Sequence, residues 1–387
     1  MSHRYVIIGA GRQGTAAAYD LGRFGEAGRV VLADLEPDAA GRAADRVNRL
    51  LQRDVVEPAH VDATDERAVA ALVAGARVVL SAVPYYFNVA ISRACIASGA
   101  SLCDMGGNTD VVWEQLALDA AARTRGVSIV PDCGMGPGLM NHMGVYVMEL
   151  LDTPREVYLY DGGLPQRPVP PWNYQLTFHV NGLTNEYDGH ATFIRDGRLT
   201  PVATFTELET IDFGSLGTLE AFVISGCMST TPHTHLGRLE RYENKVLRYP
   251  GHFATFEAYK RLGLFSEVPV IIDGRPVVPR ALYHHLLGPQ VSAPRIEDIC
   301  IMRAVGVGEK SGRAARVTVD LVDRYDPATG FTAMERLTGW HCAIVMAQQA
   351  SGAVTPGAHR MEQAVRAGDI MAAFERRGIT HTVRWQA

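Results

Sequence analysis

Short apolar runs alternate with helix-like stretches over roughly the first 140 residues of this chain. Continuous apolar runs are typical of strands buried on both faces, and strands that alternate with helices favour a parallel sheet. The predicted strands are residues 5–8, 30–33, 57–62, 76–83, 101–104 and 127–130, and the predicted helices are residues 15–21, 38–45, 66–74, 88–99 and 113–126. This alternation predicts an α/β Rossmann fold, a doubly wound parallel sheet with helices on both faces.

The pattern changes after about Asn141, where a predicted helix leads into strand-like runs separated by turns. These runs predict an α+β substrate domain with a mostly antiparallel sheet. Two further helices are predicted at 339–350 and 369–377. The predicted organisation is a nucleotide-binding domain at 1–140, a substrate domain at 141–335 and a helical C-terminal segment at 336–387.

The first predicted strand leads into a glycine-rich turn at residues 9–14, which opens the first predicted helix. In this context Gly9 permits a tight turn, and Gly11 lets a pyrophosphate approach the backbone. Gly14 lets the helix pack closely on the strand. The free N–H groups at the start of the helix attract phosphate. The turn therefore predicts a dinucleotide-binding site.

The second predicted strand ends in Asp34, which would accept hydrogen bonds from the adenosine ribose hydroxyls. A 2′-phosphate would meet like charge at this position, and neither Leu35 nor Glu36 supplies an arginine. The sequence therefore predicts NAD rather than NADP as the cofactor.

Further turns follow strands at 82–88, 104–108 and 131–138, and we expect them at one edge of the sheet. Glycines there let the backbone approach a nicotinamide ring. The predicted cofactor-binding residues are Gly9, Gly11, Arg12, Gln13, Gly14, Asp34, Asp62, Ala82, Val83, Pro84, Asn88, Gly106 and Gly107.

Composition argues against several kinds of partner. The 387 residues carry a net charge of −5, which argues against nucleic acid. No apolar run is long enough to span a bilayer, and the first residues lack the pattern of a signal peptide, so we expect neither a membrane span nor a signal peptide. The six cysteines form no CxxC pair, so we expect buried, reduced thiols in a cytoplasmic protein. The histidines at 233, 235, 284 and 285 lack an acid at a ligand spacing, so no metal site is predicted.

Taken together, these motifs resemble the saccharopine dehydrogenase-like family, and within it the members that oxidise lysine at its 6-amine. The resemblance spreads over most of the chain, in order. The runs that carry it are residues 6–11, 32–34, 86–88, 104–107, 131–134, 137–141, 159–165, 219–222, 225–226, 229–230 and 248–252.

The resemblance implies NAD-dependent oxidative deamination of the ε-amine of L-lysine, whose aldehyde product cyclises to piperideine-6-carboxylate. It also implies a homodimer or larger homo-oligomer, with C-terminal helices that pack back on the nucleotide-binding domain. The alternative is reductive joining of an amine and an oxo acid, as saccharopine reductase or carboxynorspermidine dehydrogenase do. A third hypothesis is an NAD-binding protein without catalytic activity.

Oxidation of lysine requires a cationic clamp for the α-carboxylate and a base that activates water. Arg248 is the first choice for the clamp and Arg241 is the second. The remaining predicted substrate-binding residues are Asn173, Tyr174, Thr230 and Asp161. The predicted catalytic bases are His252, His179 and Asp104.

Overall fold

The computed structural model describes residues 2–178 and 180–386, and for Ser215 it describes the backbone alone. His179, one of the three predicted bases, lies outside the described residues. The strands are β1 His3–Ile8, β2 Ala27–Asp34, β3 Val56–His60, β4 Val78–Ser81, β5 Ser101–Asp104, β6 Ser128–Val130, β7 Thr153–Pro165, β8 His190–Arg195, β9 Arg198–Ala203, β10 Glu209–Asp212, β11 Thr218–Val223, β12 Arg241–Arg248, β13 Val270–Ile272, β14 Arg275–Val277, β15 Asp298–Lys310, β16 Arg313–Arg324, β17 Gly357–Ala358 and β18 His381–Gln386.

Helices connect most of these strands. They are α1 Arg12–Phe24, α2 Pro37–Leu51, α3 Glu66–Val73, α4 Asn88–Ser98, α5 Thr109–Leu116, α6 Asp119–Arg125, α7 Leu139–Leu150, α8 Val180–Glu186, α9 Thr231–His235, α10 His252–Arg261, α11 Pro279–Val291, α12 Ala333–Ser351, α13 Met361–Ala364 and α14 Ala367–Glu375, with short 3₁₀ turns at Tyr85–Phe87 and Gly214–Leu216.

The first sheet has seven parallel strands in the order β17-β6-β5-β4-β1-β2-β3. Side chains of β1 alternate between its faces, so that Tyr5 and Ile7 enter one core while Val6 and Ile8 enter another. Both faces are therefore covered, as the continuous apolar runs predict. The Rossmann prediction is confirmed.

The second sheet has nine strands, seven of which follow the order β10-β11-β12-β7-β15-β16-β18. Strand β8 pairs with β12, and β9 pairs with β8. Only β12 and β7 run parallel within this sheet, as far as the described residues show. The prediction of a mostly antiparallel second sheet is confirmed. No helix in the described part of the chain is long and apolar enough to cross a membrane.

Helix α12 lies between the two sheets and is buried along most of its length. A Cβ atom on Gly339 would lie 2.6 Å from the carbonyl oxygen of Gln13, so α1 and α12 touch through their backbones. The start of α12 is held by β15, because the Asp298 carboxylate accepts the N–H groups of Ala333 at 2.7 Å and Met334 at 2.9 Å. One helix thus joins the nucleotide-binding sheet to the second sheet.

The chain departs from the predicted helices in two places. The predicted single helix at 113–126 is wrong, because α5 ends at Leu116 and α6 begins at Asp119. The Asp119 carboxylate accepts the Ala358 N–H at 2.9 Å and so anchors strand β17. The C-terminal segment contains β17 and β18 as well as helices, and β18 pairs with β16 in the second sheet. The six cysteines are free and buried, as predicted.

Candidate functional site

The three glycines between β1 and α1 differ in their surroundings. A Cβ atom on Gly9 would lie 2.5 Å from the carbonyl oxygen of Ala82, and one on Gly14 would lie 2.0 Å from the carbonyl oxygen of Gly9. A Cβ atom on Gly11 would meet no atom of the described residues within 4 Å. Gly9 and Gly14 are therefore needed for packing, whereas Gly11 leaves open space at the start of α1. A dinucleotide pyrophosphate fits this space.

Asp34 ends β2 beside this turn. Its Oδ2 accepts the N–H of Ala10 at 2.7 Å, and its Oδ1 accepts the N–H of Glu36 at 3.0 Å. Each carboxylate oxygen retains lone-pair capacity for a ribose hydroxyl. The backbone thus fixes the acid at the edge of the open space, so the residues present fit a dinucleotide.

Two other predicted cofactor residues, Asn88 and Asp62, form hydrogen bonds within the protein. Asn88 is buried and its Oδ1 accepts the hydroxyl of Ser81 at 2.7 Å, which ties the start of α4 to β4. Asp62 accepts the N–H of Thr64 at 2.8 Å and its hydroxyl at 2.7 Å, so its carboxylate shapes the turn after β3. Arg12 is exposed at the start of α1. The segment Ala82–Pro84 follows β4 and borders Gly9.

Asp104 has a different role from the base that the sequence predicts. Its buried carboxylate accepts the N–H groups of Gly106 at 2.8 Å and Asp132 at 3.2 Å, and the Nε2 amide of Gln115 at 2.7 Å. Burial raises the pKa of this carboxyl group. A carboxylate enclosed by three protein donors is not open to a substrate. Asp104 instead ties the turn after β5 to the turn after β6.

The turn after β6 brings the Rossmann sheet against the second domain. A Cβ atom on Gly106 would lie 2.1 Å from Oδ1 of Asp132, and one on Gly136 would lie 2.7 Å from Oδ2 of Asp161. Burial raises the pKa of Asp132 to about 8. Asp161, on β7, is buried and its Oδ1 accepts the Nδ2 amide of Asn244 at 2.8 Å. These contacts form a row from the predicted nicotinamide side to β7, which we call the seam.

Arg248 ends β12 on the second-domain side of the seam and is buried. Its Nε donates to the hydroxyl of Tyr187 at 3.0 Å, and its Nη1 donates to the carbonyl oxygen of Leu247 at 3.0 Å. Its Nη2 lies 3.5 Å from Oε2 of Glu186. The guanidinium carbon lies 5.4 Å from the ring centroid of Tyr174. The clamp residue is thus fixed on three sides, with Nη2 toward Glu186.

His252 is less suited to be a base than the sequence suggests. The hydroxyl of Tyr187 accepts the Nε–H of Arg248 and lies 2.8 Å from Nε2 of His252. Nδ1 of His252 is buried and has no hydrogen-bond partner among residues 2–178 and 180–386. Burial also lowers the pKa of His252 well below its ordinary value. We assign His252 to positioning Tyr187 and Arg248.

Arg241 does not join Arg248. The two residues are seven positions apart on strand β12, and an odd separation places side chains on opposite faces of a sheet. Arg241 lies 3.3 Å from Glu243 and lines a separate cavity of about 280 Å³ with Arg195 and Lys245. The prediction that Arg241 binds the substrate beside Arg248 is wrong on this geometry.

The other three predicted substrate residues flank the seam. The hydroxyl of Thr230 donates to the carboxylate of Glu362 at 2.8 Å, which ties the loop before α9 to α13. Asn173 adopts a left-handed backbone with φ of 45° in the loop before α8. Next to it, the buried ring of Tyr174 packs edge-on against His252, with centroids 5.2 Å apart.

Sequence reasoning missed Glu186, Tyr187, Cys227 and Asn244. Asn244 had a usable signal, since it lies four residues before Arg248 on a strand and therefore shares its face. The thiol of Cys227 lies in the field of Asp161, Glu186 and Arg248, and burial raises its pKa.

Across the described parts of the chain, no group of three or more histidine, cysteine, aspartate or glutamate residues is placed to hold a metal ion.

Two domain profiles of one protein family match this chain. The saccharopine dehydrogenase C-terminal domain matches residues 134–379, and the saccharopine dehydrogenase NADP binding domain matches residues 5–130. The chain belongs to the saccharopine dehydrogenase family. The family resemblance is thereby confirmed, and residues 5–130 form a domain for a nicotinamide dinucleotide.

Relatives of this chain are distant in sequence. Mitochondrial alpha-aminoadipic semialdehyde synthase of Bos taurus is 23% identical, covering 84% of this chain and 42% of the bovine protein. Saccharopine dehydrogenase [NADP(+), L-glutamate-forming] of Pyricularia oryzae is 24% identical, covering 54% of this chain and 48% of that protein. The chain therefore spans less than half the length of these relatives.

A solved structure shares the whole fold. Saccharopine dehydrogenase (L-Glu forming) from Saccharomyces cerevisiae superposes with a TM-score of 0.81 at 16% identity, over the full length of both chains. The two chains have the same fold.

Replacing Gly11 by valine should weaken cofactor binding at least tenfold while leaving the melting temperature nearly unchanged. The added side chain enters the open space without meeting protein atoms. Titration of protein fluorescence with NAD, alongside thermal unfolding, measures both effects. Gly14→Ala is the contrasting variant, because its Cβ would collide with backbone and should lower the melting temperature. Undiminished NAD binding by Gly11→Val would contradict the assignment.

Proposed function

We propose that this protein is a nicotinamide-dependent dehydrogenase that oxidises the ε-amine of L-lysine to the semialdehyde, as the L-lysine 6-dehydrogenases do. The semialdehyde then cyclises to piperideine-6-carboxylate. Family membership supports an oxidoreductase that acts on amino acids. The position of the seam, between the cofactor turns and the second sheet, supports it as the place of reaction. The expected homodimer and cytoplasmic location stay predictions.

The observation that carries the choice of lysine is the balance of charges at the seam. In the described residues, Arg248 is the one arginine whose charge acts on both Asp161 and Glu186, whereas Arg238 is exposed and Arg241 faces the separate cavity. Asp161 and Glu186 lie near it as acids. One cation suits a substrate with a single carboxylate, and acids suit a substrate with amines.

The ε-amine of the substrate must be neutral when a hydride leaves the carbon that carries it, although a free lysine amine has a pKa of about 10.4. We assign Asp161 as the acceptor of this proton, because it adjoins Gly136 and Cys227 at the cofactor side of the seam. Asn244 holds one carboxylate oxygen, and the other faces the turn after β6. Arg248 binds the α-carboxylate and sets the distance of the reacting carbon from the cofactor, which accepts the hydride when bound.

The reductive alternative is favoured by one observation: the relative from Pyricularia oryzae is a saccharopine dehydrogenase that forms L-glutamate. A substrate such as saccharopine carries two more carboxylates than lysine does. Each would require a cation or several N–H donors in a buried site. Among the described residues, Arg248 is the one cation whose charge acts on both Asp161 and Glu186, so we rank this function second.

We also propose NAD as the cofactor, although the matching profile is named for NADP. In the proposed binding mode a 2′-phosphate would come against the Asp34 carboxylate, which is held in place by two backbone N–H groups. A carboxylate and a phosphate in contact repel each other. The following residues, Leu35 and Glu36, bring no positive charge.

Purified protein should form NADH with L-lysine and release ammonia, with little turnover of saccharopine or ornithine. Absorbance at about 340 nm measures this, with a panel of lysine, ornithine, diaminopimelate, saccharopine and simple diamines. Turnover of saccharopine, or activity found only in the reductive direction with an oxo acid, would move the function to the alternative. Cofactor binding without turnover of any panel member would support a non-catalytic protein.

Asp161→Asn should lower kcat by about 10²- to 10³-fold, because an amide of the same shape cannot accept the proton. Burial raises the pKa of Asp161 above its ordinary value, so its base form is lost as the pH falls, starting above the usual aspartate range. The kcat of the wild type should therefore decline toward low pH, and this dependence should be absent from the variant. Stopped-flow measurement of NADH formation from pH 5 to 10 records both profiles.

Asp34→Ala combined with Leu35→Arg should shift the preference from NAD toward NADP by at least tenfold. The double variant removes the repelling carboxylate and supplies a cation for the 2′-phosphate. The ratio of kcat/KM for the two cofactors, at saturating lysine, is the measurement. An unchanged ratio would show that Asp34 does not face the ribose. Asp38→Ala, at an exposed position in α2, is the control.

A further inference from the structure

Glu186 lies on the open side of the Arg248 clamp. It is the last residue of α8, and its main-chain carbonyl accepts the N–H of Ser225 at 2.9 Å, which ties α8 to the loop beside Cys227. The side chain of Glu186 is 22% exposed, whereas that of Arg248 is 3% exposed. Glu186 is therefore the more exposed member of the pair.

The contact between Glu186 and Arg248 is not a short hydrogen bond, so Nη2 can still donate to a ligand. The Nη2–Oε2 distance of 3.5 Å exceeds the 2.7–2.9 Å of a charge-assisted hydrogen bond. The other edges of the guanidinium are occupied by the hydroxyl of Tyr187 and the carbonyl oxygen of Leu247. A substrate carboxylate must then bind at the edge that faces Glu186.

A second observation also indicates a ligand at this place. The hydroxyl of Tyr174 is buried beside Arg248 and has no hydrogen-bond partner in the described part of the chain. A buried hydroxyl without a partner costs free energy, so such groups are usually satisfied. A substrate carboxylate on Arg248 would supply the missing acceptor.

We propose that Glu186 binds the α-ammonium group of the substrate while Arg248 binds the adjacent α-carboxylate, so that the pair selects an α-amino acid zwitterion. This inference rests on the proposed oxidation of lysine. In an α-amino acid the two charged groups are attached to the same carbon. Two opposite charges of the protein, side by side at the clamp, match that arrangement.

Each charge of lysine then has one counter-charge in the seam. The α-carboxylate meets Arg248, the α-ammonium meets Glu186, and the ε-ammonium meets Asp161. Partial burial and the charge of Asp161 raise the pKa of Glu186 to about 8, although Arg248 acts to lower it. Binding of a cation beside Glu186 favours its ionised form, so lysine binding near pH 7 should release a proton.

The test compares three amines as substrates of the wild type and of Glu186→Gln. L-Lysine carries both α-groups, 6-aminohexanoate lacks the α-ammonium, and cadaverine lacks the carboxylate as well. The variant should lose about 10- to 100-fold in kcat/KM for lysine, the range for a hydrogen bond to a charged group. Its kcat/KM for 6-aminohexanoate should stay within about threefold of the wild type, which also shows that the variant is folded. Glu257→Gln, on the outer face of α10 with Arg261, is the matched control.

The outcomes separate this inference from the proposed function. If the wild type oxidises lysine and Glu186→Gln changes lysine and 6-aminohexanoate equally, Glu186 only supports Arg248 and the inference is overturned. If the wild type does not oxidise lysine, the proposed function fails. Calorimetric titration of the NAD complex with lysine then still tests Glu186, because weaker lysine binding by the variant supports the inference. Equal binding, or no binding of lysine to either protein, overturns it.

Discussion

The burial of helix α12 between the two sheets is the constraint on which the rest of the structure depends. Its first N–H groups are bound by Asp298 of the second sheet, and its middle touches the backbone of α1 at Gly339. Farther along, Nδ1 of His341 lies 2.7 Å from the carbonyl oxygen of Cys133, in the turn after β6. One helix therefore fixes both sheets and the turn between them, which sets the width of the seam.

Within the seam, buried charge is kept only where the fold supplies partners. Asp104 has three protein donors and is closed to any ligand, whereas Arg248 keeps one edge of its guanidinium next to a partly exposed acid. Burial of an ion costs several kcal/mol unless partners offset it. A ligand that forms a hydrogen bond with a buried group lacking a partner, such as the Tyr174 hydroxyl, would therefore offset the cost of burying that group.

The sequence predicts best what is determined locally. The glycines of the first turn, the acid that ends β2 and the alternation of strands and helices act within about 30 residues, and the structure has them in the predicted elements. The sequence does not reveal the role of Asp104, because an acid at the end of a strand is equally suited to catalysis and to anchoring a turn. Glu186 gave no signal, since only the fold brings the end of α8 next to Arg248. For Arg241, the two-residue period of strand β12 excludes a pocket shared with Arg248, but no strand with these bounds is predicted from the sequence.

The comparison with the yeast enzyme shows why family membership does not decide the substrate. A TM-score of 0.81 at 16% identity means that most side chains have changed while the backbone has not. The packing contacts that fix the backbone, such as those at Gly14 and Gly339, require little more than the absence of a side chain. In the proposed function, selectivity depends instead on the few charged groups at the seam, because each unpaired charge of a wrong substrate costs more than a shape mismatch. For the proposed function, the placement of Arg248 against the acids Asp161 and Glu186 is therefore a better guide to the substrate than the names of the relatives.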